Sequence, residues 1–227
     1  MKLLLIRHGE TYANINMQWS GSKDLEITNL TDHGIEQAKL LGKWFMDNKY
    51  KPSFVYVSPQ KRALDTYSLA GAHWNLKEVV TPLLKETGAG DFEGLTWNEI
   101  ERLFPTQAQQ FEHSRNWDVV NGAETESERR SRASLVLDII LSHSQKTDHI
   151  AMFCHANIIQ QIISVLLQSP KLWGINMKNT ALFEFELQPN KWNDQTRTKF
   201  NPTLWRILKF NEHPHLTSEQ AGPGNKN

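Results

Sequence analysis

The chain has 227 residues, with 25 Lys+Arg balanced by 25 Asp+Glu and 39% hydrophobic residues. That length buries a real core and suits one α/β domain; zero net charge leaves no global basic field for nucleic acid and no basic tract for a membrane surface. One cysteine, Cys154, excludes an intrachain disulfide and argues against a thiolate metal site, no apolar stretch approaches the ~20 residues of a membrane span, and a cytoplasmic, reducing location is expected.

Leu3–Ile6 is a short apolar run with the length of one strand buried on both faces. It is too short for a signal-peptide core, and Arg7 interrupts it. The run ends at Arg7, His8 and Gly9, on the side of an open α/β sheet where ligands sit. Arg7 offers a planar charged fork suited to phosphate or carboxylate. His8 offers an imidazole that can serve as base or nucleophile, and Gly9 lets backbone or ligand approach closely. Taken alone, the tripeptide fits equally well a strand end with a solvated Arg-His pair.

Thr11 to Glu26 reads as a polar surface loop. Thr31 can N-cap a helix in which Ile35, Ala38, Leu41 and Phe45 recur at helical spacing, ending near Asn48. Phe54–Val57 is a second strand. Ser58 as N-cap and Pro59 at the first helical position predict a helix to about Ala70. Residues 79–84 suggest a third strand broken by Pro82, followed by a loop with Gly88, Gly90 and Gly94. Thr96 opens a short helix closed by Pro105. Residues 106–121 are polar and aromatic with little periodicity and read as an insertion covering a site. A long helix spans Glu124 to Ser142, with Leu135, Val136, Ile139 and Ile140 expected inward. Ile150–Cys154 is a fourth strand and also ends in a histidine, His155. A buried helix from Ile158 to Leu167 and two neighbouring strands, Ala181–Leu187 and Leu204–Phe210, complete the fold. Alternating strands and helices predict a three-layer α/β/α sandwich on a mostly parallel sheet. The expected organisation is one domain over 1–216, a cap-like insertion near 104–121, and a disordered tail over 217–227.

Three apolar strands lead into polar groups: Arg7-His8, Arg62 and His155. If those strands are parallel neighbours, two arginines and two histidines converge on one edge and suit a phosphate. Each has a plainer reading: Arg62 as a solvated helix residue, His155 as a histidine capping the next helix, Cys154 as an inert buried strand residue.

In combination these residues resemble the histidine phosphatase superfamily, which includes cofactor-dependent phosphoglycerate mutases. Arg7-His8-Gly9-Glu10-Thr11 with Asn14 is similar to its N-terminal signature, and Ser58-Pro59-Gln60-Lys61-Arg62-Ala63-Leu64-Asp65-Thr66 to its second. Leu84-Lys85-Glu86 with Gly90, Phe92, Glu93 and Gly94 resembles its third, and Gly122-Ala123-Glu124-Thr125 its Gly-Gly-Glu-Ser box. His155 stands where the family has its second histidine, and Trp205…Asn211-Glu212-His213…Leu216 resembles its ending.

The resemblance implies a phosphoglycerate mutase-like fold and a phosphomonoesterase acting through a phosphohistidine on His8. It implies that Arg7, Arg62 and His155 hold the phosphoryl oxygens and that Glu86 is the general acid, then base. Asn14, Gly21 and the Ala156 N–H would add phosphate hydrogen bonds, with Ser20 and Asn157 as further candidates. No metal or other cofactor is expected, because fixed cations stand in for one; the nine histidines show no zinc-type spacing and no Gly-x-x-x-x-Gly-Lys loop is present. Where a mutase carries Arg-His-Tyr after the glutamate, this chain has Thr87-Gly88-Ala89, which weakens its hold on a second phosphate. The alternatives are a mutase, and a binding module with a dead site, against which the five core groups argue. The expected partner is a small phosphorylated substrate, with no nucleic acid or membrane; oligomeric state is open. Phe111, Trp117 and Phe104 would shape substrate choice, or form the core of a helical cap.

Overall fold

The computed structural model describes residues 1–143, 148–172, 174–192 and 204–221. In chain order its elements are β1 (Lys2–Arg7), α1 (Tyr12–Ile15), α2 (Asp32–Asp47), β2 (Phe54–Val57), α3 (Lys61–Ala70), β3 (Val79–Val80), α4 (Trp97–Leu103), α5 (Pro105–Ser114), α6 (Glu126–Ser142), β4 (His149–Cys154), α7 (Ala156–Leu166), β5 (Leu182–Leu187), α8 (Pro189–Trp192) and β6 (Trp205–Glu212). The strands form one sheet in the order β3-β2-β4-β1-β5-β6. β1, β2, β3 and β4 run parallel, β5 pairs antiparallel with β1, and β6 pairs antiparallel with β5.

The alternation of β1 sends its apolar residues to two cores. Leu3 and Leu5 pack with Val136, Ile140, Ile158 and Ile162 of α6 and α7. Leu4 and Ile6 pack with Leu41, Phe45, Ala63 and Tyr67 of α2 and α3. Helices on both faces explain why β1 reads as continuously apolar. Each fully buried Leu or Ile there contributes about 1.5–3 kcal/mol. This is the three-layer sandwich that the alternation of elements predicts. Among the described residues, no helix is long and apolar enough to cross a membrane.

Several local expectations are corrected. α3 starts at Lys61, with Gln60 as its N-cap, two residues beyond Pro59. Ser58 is not that cap: its hydroxyl pairs with His155 and accepts the Gln60 N–H at 3.3 Å, one residue ahead of the helix. Pro82–Leu84 is a turn of 3-10 helix, so the third strand is Val79–Val80 alone; Pro82 has no N–H for a ladder. α6 buries Arg129, Ala133, Val136, Leu137 and Ile140, while Leu135 is 52% exposed and Ile139 half-buried. The insertion is helical over α5, which starts at Pro105. Its inward face is narrow, with only Ala108 and Phe111 buried, so it carries little periodic signal. Inside the expected N-terminal loop, Thr11 and Asn14 form a capping box that starts α1. At the tail, Thr217–Ala221 is folded: Gln37 Nε2 donates to Gln220 O at 2.9 Å, and Ala221 is buried. Residues 222–227 lie outside the described residues.

Candidate active site

The parallel register brings the ends of β1, β2 and β4 to one edge. Arg7 pairs with Cys154, His8 N donates to Cys154 O at 3.1 Å, and Ser58 N donates to Phe153 O at 3.0 Å. Arg7, His8, Ser58 and His155 are therefore neighbours by topology. The loop after β1 crosses the first turn of α2 at backbone contact. A Cβ on Gly9 would lie 2.6 Å from Gly34 O, and one on Gly34 would lie 2.1 Å from Glu10 O. Both positions need glycine for space. Thr66 Oγ1 accepts the Gly9 N–H at 3.0 Å and donates to Arg62 O at 2.7 Å, tying α3 to the same loop.

His8 is buried, and its Nδ1 lies 2.7 Å from Gly9 O. A carbonyl only accepts, so Nδ1 carries the proton and Nε2 the lone pair. Burial, followed by the charges of Arg62 and Arg7, holds the His8 pKa well below the ordinary imidazole value. The ring is thus neutral at physiological pH, which a nucleophile requires.

Behind it, His155 is fully buried with ring centroids 5.1 Å from those of His8. Arg62 Nε donates to His155 Nδ1 at 3.1 Å, so Nε2 bears the proton and donates to Ser58 Oγ at 2.7 Å. Burial, then Arg62 and His8, keeps His155 well below the ordinary range. Arg62 also donates through Nη2 to Gly21 O at 3.0 Å. Arg7 donates through Nη1 to Met177 O. Burial lowers both guanidinium pKa values to about 10, against the raising effect of Glu86, so both remain cationic near neutrality.

The Glu86 carboxylate sits on the first turn of α7. It accepts from Asn157 N at 3.2 Å, Ile158 N at 3.3 Å and Thr87 N at 2.9 Å. Because α7 is N-capped by His155 without a side-chain bond, Glu86 supplies the missing acceptor from another part of the chain. Gln60 fixes the approach: its Oε1 accepts Glu86 N at 2.6 Å and its Nε2 donates to Gly21 O at 3.3 Å.

A cavity of about 690 Å³ opens over this edge. Arg7, His8, Asn14, Ser20, Gly21, Glu86, Ala156 and Asn157 all line it. Arg62 and His155 do not; they sit in the layer behind His8, fully buried. Asn14 Oδ1 accepts from Thr11 N at 3.1 Å and Asn179 Nδ2 at 3.0 Å, which leaves the Asn14 amide NH₂ for a ligand. Arg7 and a neutral imidazole lone pair at the cavity, the Glu86 carboxylate on a helix N-terminus, and Arg62 behind them suit transfer of a phosphoryl group.

The family model described as the histidine phosphatase superfamily (branch 1) matches residues 3–198. The chain belongs to the histidine phosphatase superfamily. Among its relatives are an acid phosphatase of Mycobacterium tuberculosis, 31% identical over 76% of this chain and 79% of that one. Another is phosphoglycerate mutase-like protein 4 of Arabidopsis thaliana, 29% identical over 86% of this chain and 83% of that one. The fold matches the crystal structure of the alpha-ribazole phosphatase from Shigella flexneri with a TM-score of 0.78 at 22% identity, covering 94% of this chain and 97% of that one.

Several residues of this histidine phosphatase site escape a sequence reading. Asn179 Nδ2 reaches His8 O at 3.3 Å as well as Asn14, and Thr180 N donates to His8 O at 3.1 Å. Gln60 lies inside the second signature without an implied role there, and Asn179 carries no recognisable local pattern, since the partners of both lie far away in the chain. Arg132 forks onto Glu124 at 2.7 and 2.6 Å and donates to Leu83 O and Lys85 O, which secures the segment bearing Glu86. Of the aromatic residues expected over the site, Trp117 lines the cavity; Phe111 and Phe104 do not. Trp19 and Trp97 line it instead, contributed by the N-terminal loop and α4. Aromatic residues beside Ser20 and after Thr96 were the available signal.

Proposed function

We propose that the protein is a phosphomonoesterase that hydrolyses a small phosphorylated metabolite through a phosphohistidine on His8, with fixed cations in place of a metal ion. The observation that carries this reading is the His8 tautomer, a neutral ring whose Nδ1 is held by Gly9 O and whose Nε2 lone pair is left at a cavity beside two buried guanidinium groups. Nε2 attacks phosphorus, and the P–N bond forms as the P–O bond to the substrate alkoxide breaks. Glu86, entering this step protonated, gives its proton to the alkoxide. Its carboxylate then takes a proton from water as the water oxygen attacks phosphorus. The P–N bond breaks, orthophosphate leaves, and His8 returns to its neutral form. Arg7, Arg62 and the Ala156 N–H stabilise the charge on the phosphoryl oxygens. Hydrolysis rather than return transfer is favoured by Thr87-Gly88-Ala89, which bring no cation beside Glu86. The name of the mycobacterial acid phosphatase relative supports the same reading.

The test is phosphate release from p-nitrophenyl phosphate in EDTA. Wild type should keep its activity, and His8→Ala should lose roughly 10⁴-fold or more. An inactive or chelator-sensitive wild type, or an active His8→Ala, would overturn the reading. Turnover that needs a bisphosphate primer and releases little phosphate would move it to a mutase.

A further inference from the structure

The phosphate position occupies only one end of the cavity. A total of about 690 Å³ lies in the range of pockets that enclose a whole ligand, roughly 300–1,000 Å³. A phosphoryl group with a three-carbon acid leaves most of that space empty. The lining also carries three indoles, Trp19, Trp97 and Trp117, from the loop after β1, from α4 and from the turn after α5. All three pack on one ring, Phe111, at centroid distances of 5.9, 6.3 and 4.6 Å. Phe111 is only 2% exposed, and the Arg129 guanidinium backs Trp117 at 4.5 Å. The wall is therefore set before any substrate arrives, and little ordering cost remains for binding.

Two further observations bear on the occupant. At the mouth, Ile15 is 54% and Met17 75% exposed, apolar side chains that line the cavity and stay largely open to solvent. Charge is the other. Arg7 belongs to the phosphate end, and among the described residues Arg115 is the one further Lys or Arg along the lining, which also carries Glu10 and Glu112. A second phosphate or a carboxylate would meet no cationic cluster there.

We propose that the indole-lined part of the cavity selects the alcohol half of the substrate, and that the substrate class is a monophosphate ester whose alcohol carries a planar aromatic ring. The proposal rests on the phosphomonoesterase reading above. The ring stacks on the indole wall, an interaction that discriminates an aromatic from an aliphatic group by about tenfold or more. Met17 and Ile15 cover its outer edge. Small phosphorylated acids are poor substrates because they leave the wall wet and their carboxylate unpaired.

The experiment compares kcat/KM of the full chain on 2-phenylethyl phosphate, butyl phosphate and 3-phosphoglycerate, with p-nitrophenyl phosphate as the activity control. The first two share a primary alkoxide leaving group, so their ratio reports the ring and not the chemistry. Wild type should favour the phenylethyl ester by about tenfold or more. Trp97→Ala should bring that ratio down about tenfold, and Trp97→Phe should retain most of it. Met17→Asn is the second variant. Its exposed site has φ 54°, which asparagine tolerates, so folding is secure, and the ratio should fall roughly two- to threefold. A wild-type ratio near one, a preference for butyl phosphate or 3-phosphoglycerate, or a ratio unmoved in both Trp97→Ala and Met17→Asn would overturn the proposal. Hydrolysis of p-nitrophenyl phosphate alone would overturn it too. A wild type inactive on all four esters would instead remove the phosphatase reading beneath it.

Discussion

The two ends of the cavity are built on opposite terms. At the phosphate end, Arg7, His8, Arg62 and His155 are between 0% and 3% exposed, and burial opposes charge on every one of them. Their hydrogen bonds run largely to backbone carbonyls and to each other. At the aromatic end, Phe92, Phe111, Trp117 and Val120 form a small apolar core whose burial stabilises the cap. Buried charge is thus concentrated where burial opposes it, and the aromatic residues sit where burial stabilises the fold. A catalytic edge of this kind costs stability, which the two large cores on either side of the sheet offset.

That contrast predicts different failures at the two ends. Glu86→Gln keeps an acceptor for the α7 N–H groups but cannot move a proton. Its kcat/KM, which reports the steps through release of the alcohol, should fall roughly 10²–10⁴-fold on alkyl esters. The loss should be much smaller on p-nitrophenyl phosphate, whose leaving group needs no acid. Equal losses on both esters would mean that Glu86 acts by holding α7 rather than as an acid. At the other end, Phe111→Ala removes the ring on which three tryptophans pack. It should cost about 3–5 kcal/mol of stability, read as a lower urea midpoint. A midpoint within ~1 kcal/mol of wild type would show that the cap is not one packed unit.

The same contrast explains what could be read from the chain. The phosphate end sits at strand termini, and strand termini are written locally. Leu3–Ile6 stopping at Arg7-His8, and Ile150–Cys154 stopping at His155, mark the edge without reference to anything distant. The three-layer fold follows from the same apolar runs. What stayed hidden depends on partners far off in the chain. Ser58 looks like a helix cap until His155, 97 residues away, takes its hydroxyl. Gln60 is an ordinary polar residue until it meets Glu86 N. Leu135 reads as inward on a helix whose buried stripe runs through Ala133, Val136 and Ile140, toward α7 and β1. The indole wall draws on a loop, on α4 and on the turn after α5, and no single window of sequence contains it.

The smallest predicted effect probes the buried imidazoles through stability. His8 and His155 are both held below the ordinary imidazole value near 6.5, chiefly by burial. The unfolded chain therefore takes up protons at these positions as pH falls through about 6.5, while the folded chain does not. The unfolded state binds more protons, so stability is complete above that pH and declines below it. The slope is at most about 1.4 kcal/mol per pH unit for each histidine. Other histidines with lowered values, among them His215 at about 4, add to the wild-type slope. The informative quantity is accordingly the difference between wild type and His155→Gln, whose amide can still accept from Arg62 and donate to Ser58. Urea midpoints measured from pH 7.5 to 5 should converge as the pH drops, with the variant losing less. Parallel curves would mean that His155 is protonated inside the fold. A second cation beside Arg62 would then face His8, and like Arg62 and Arg7 it would disfavour protonation of that ring and keep its lone pair.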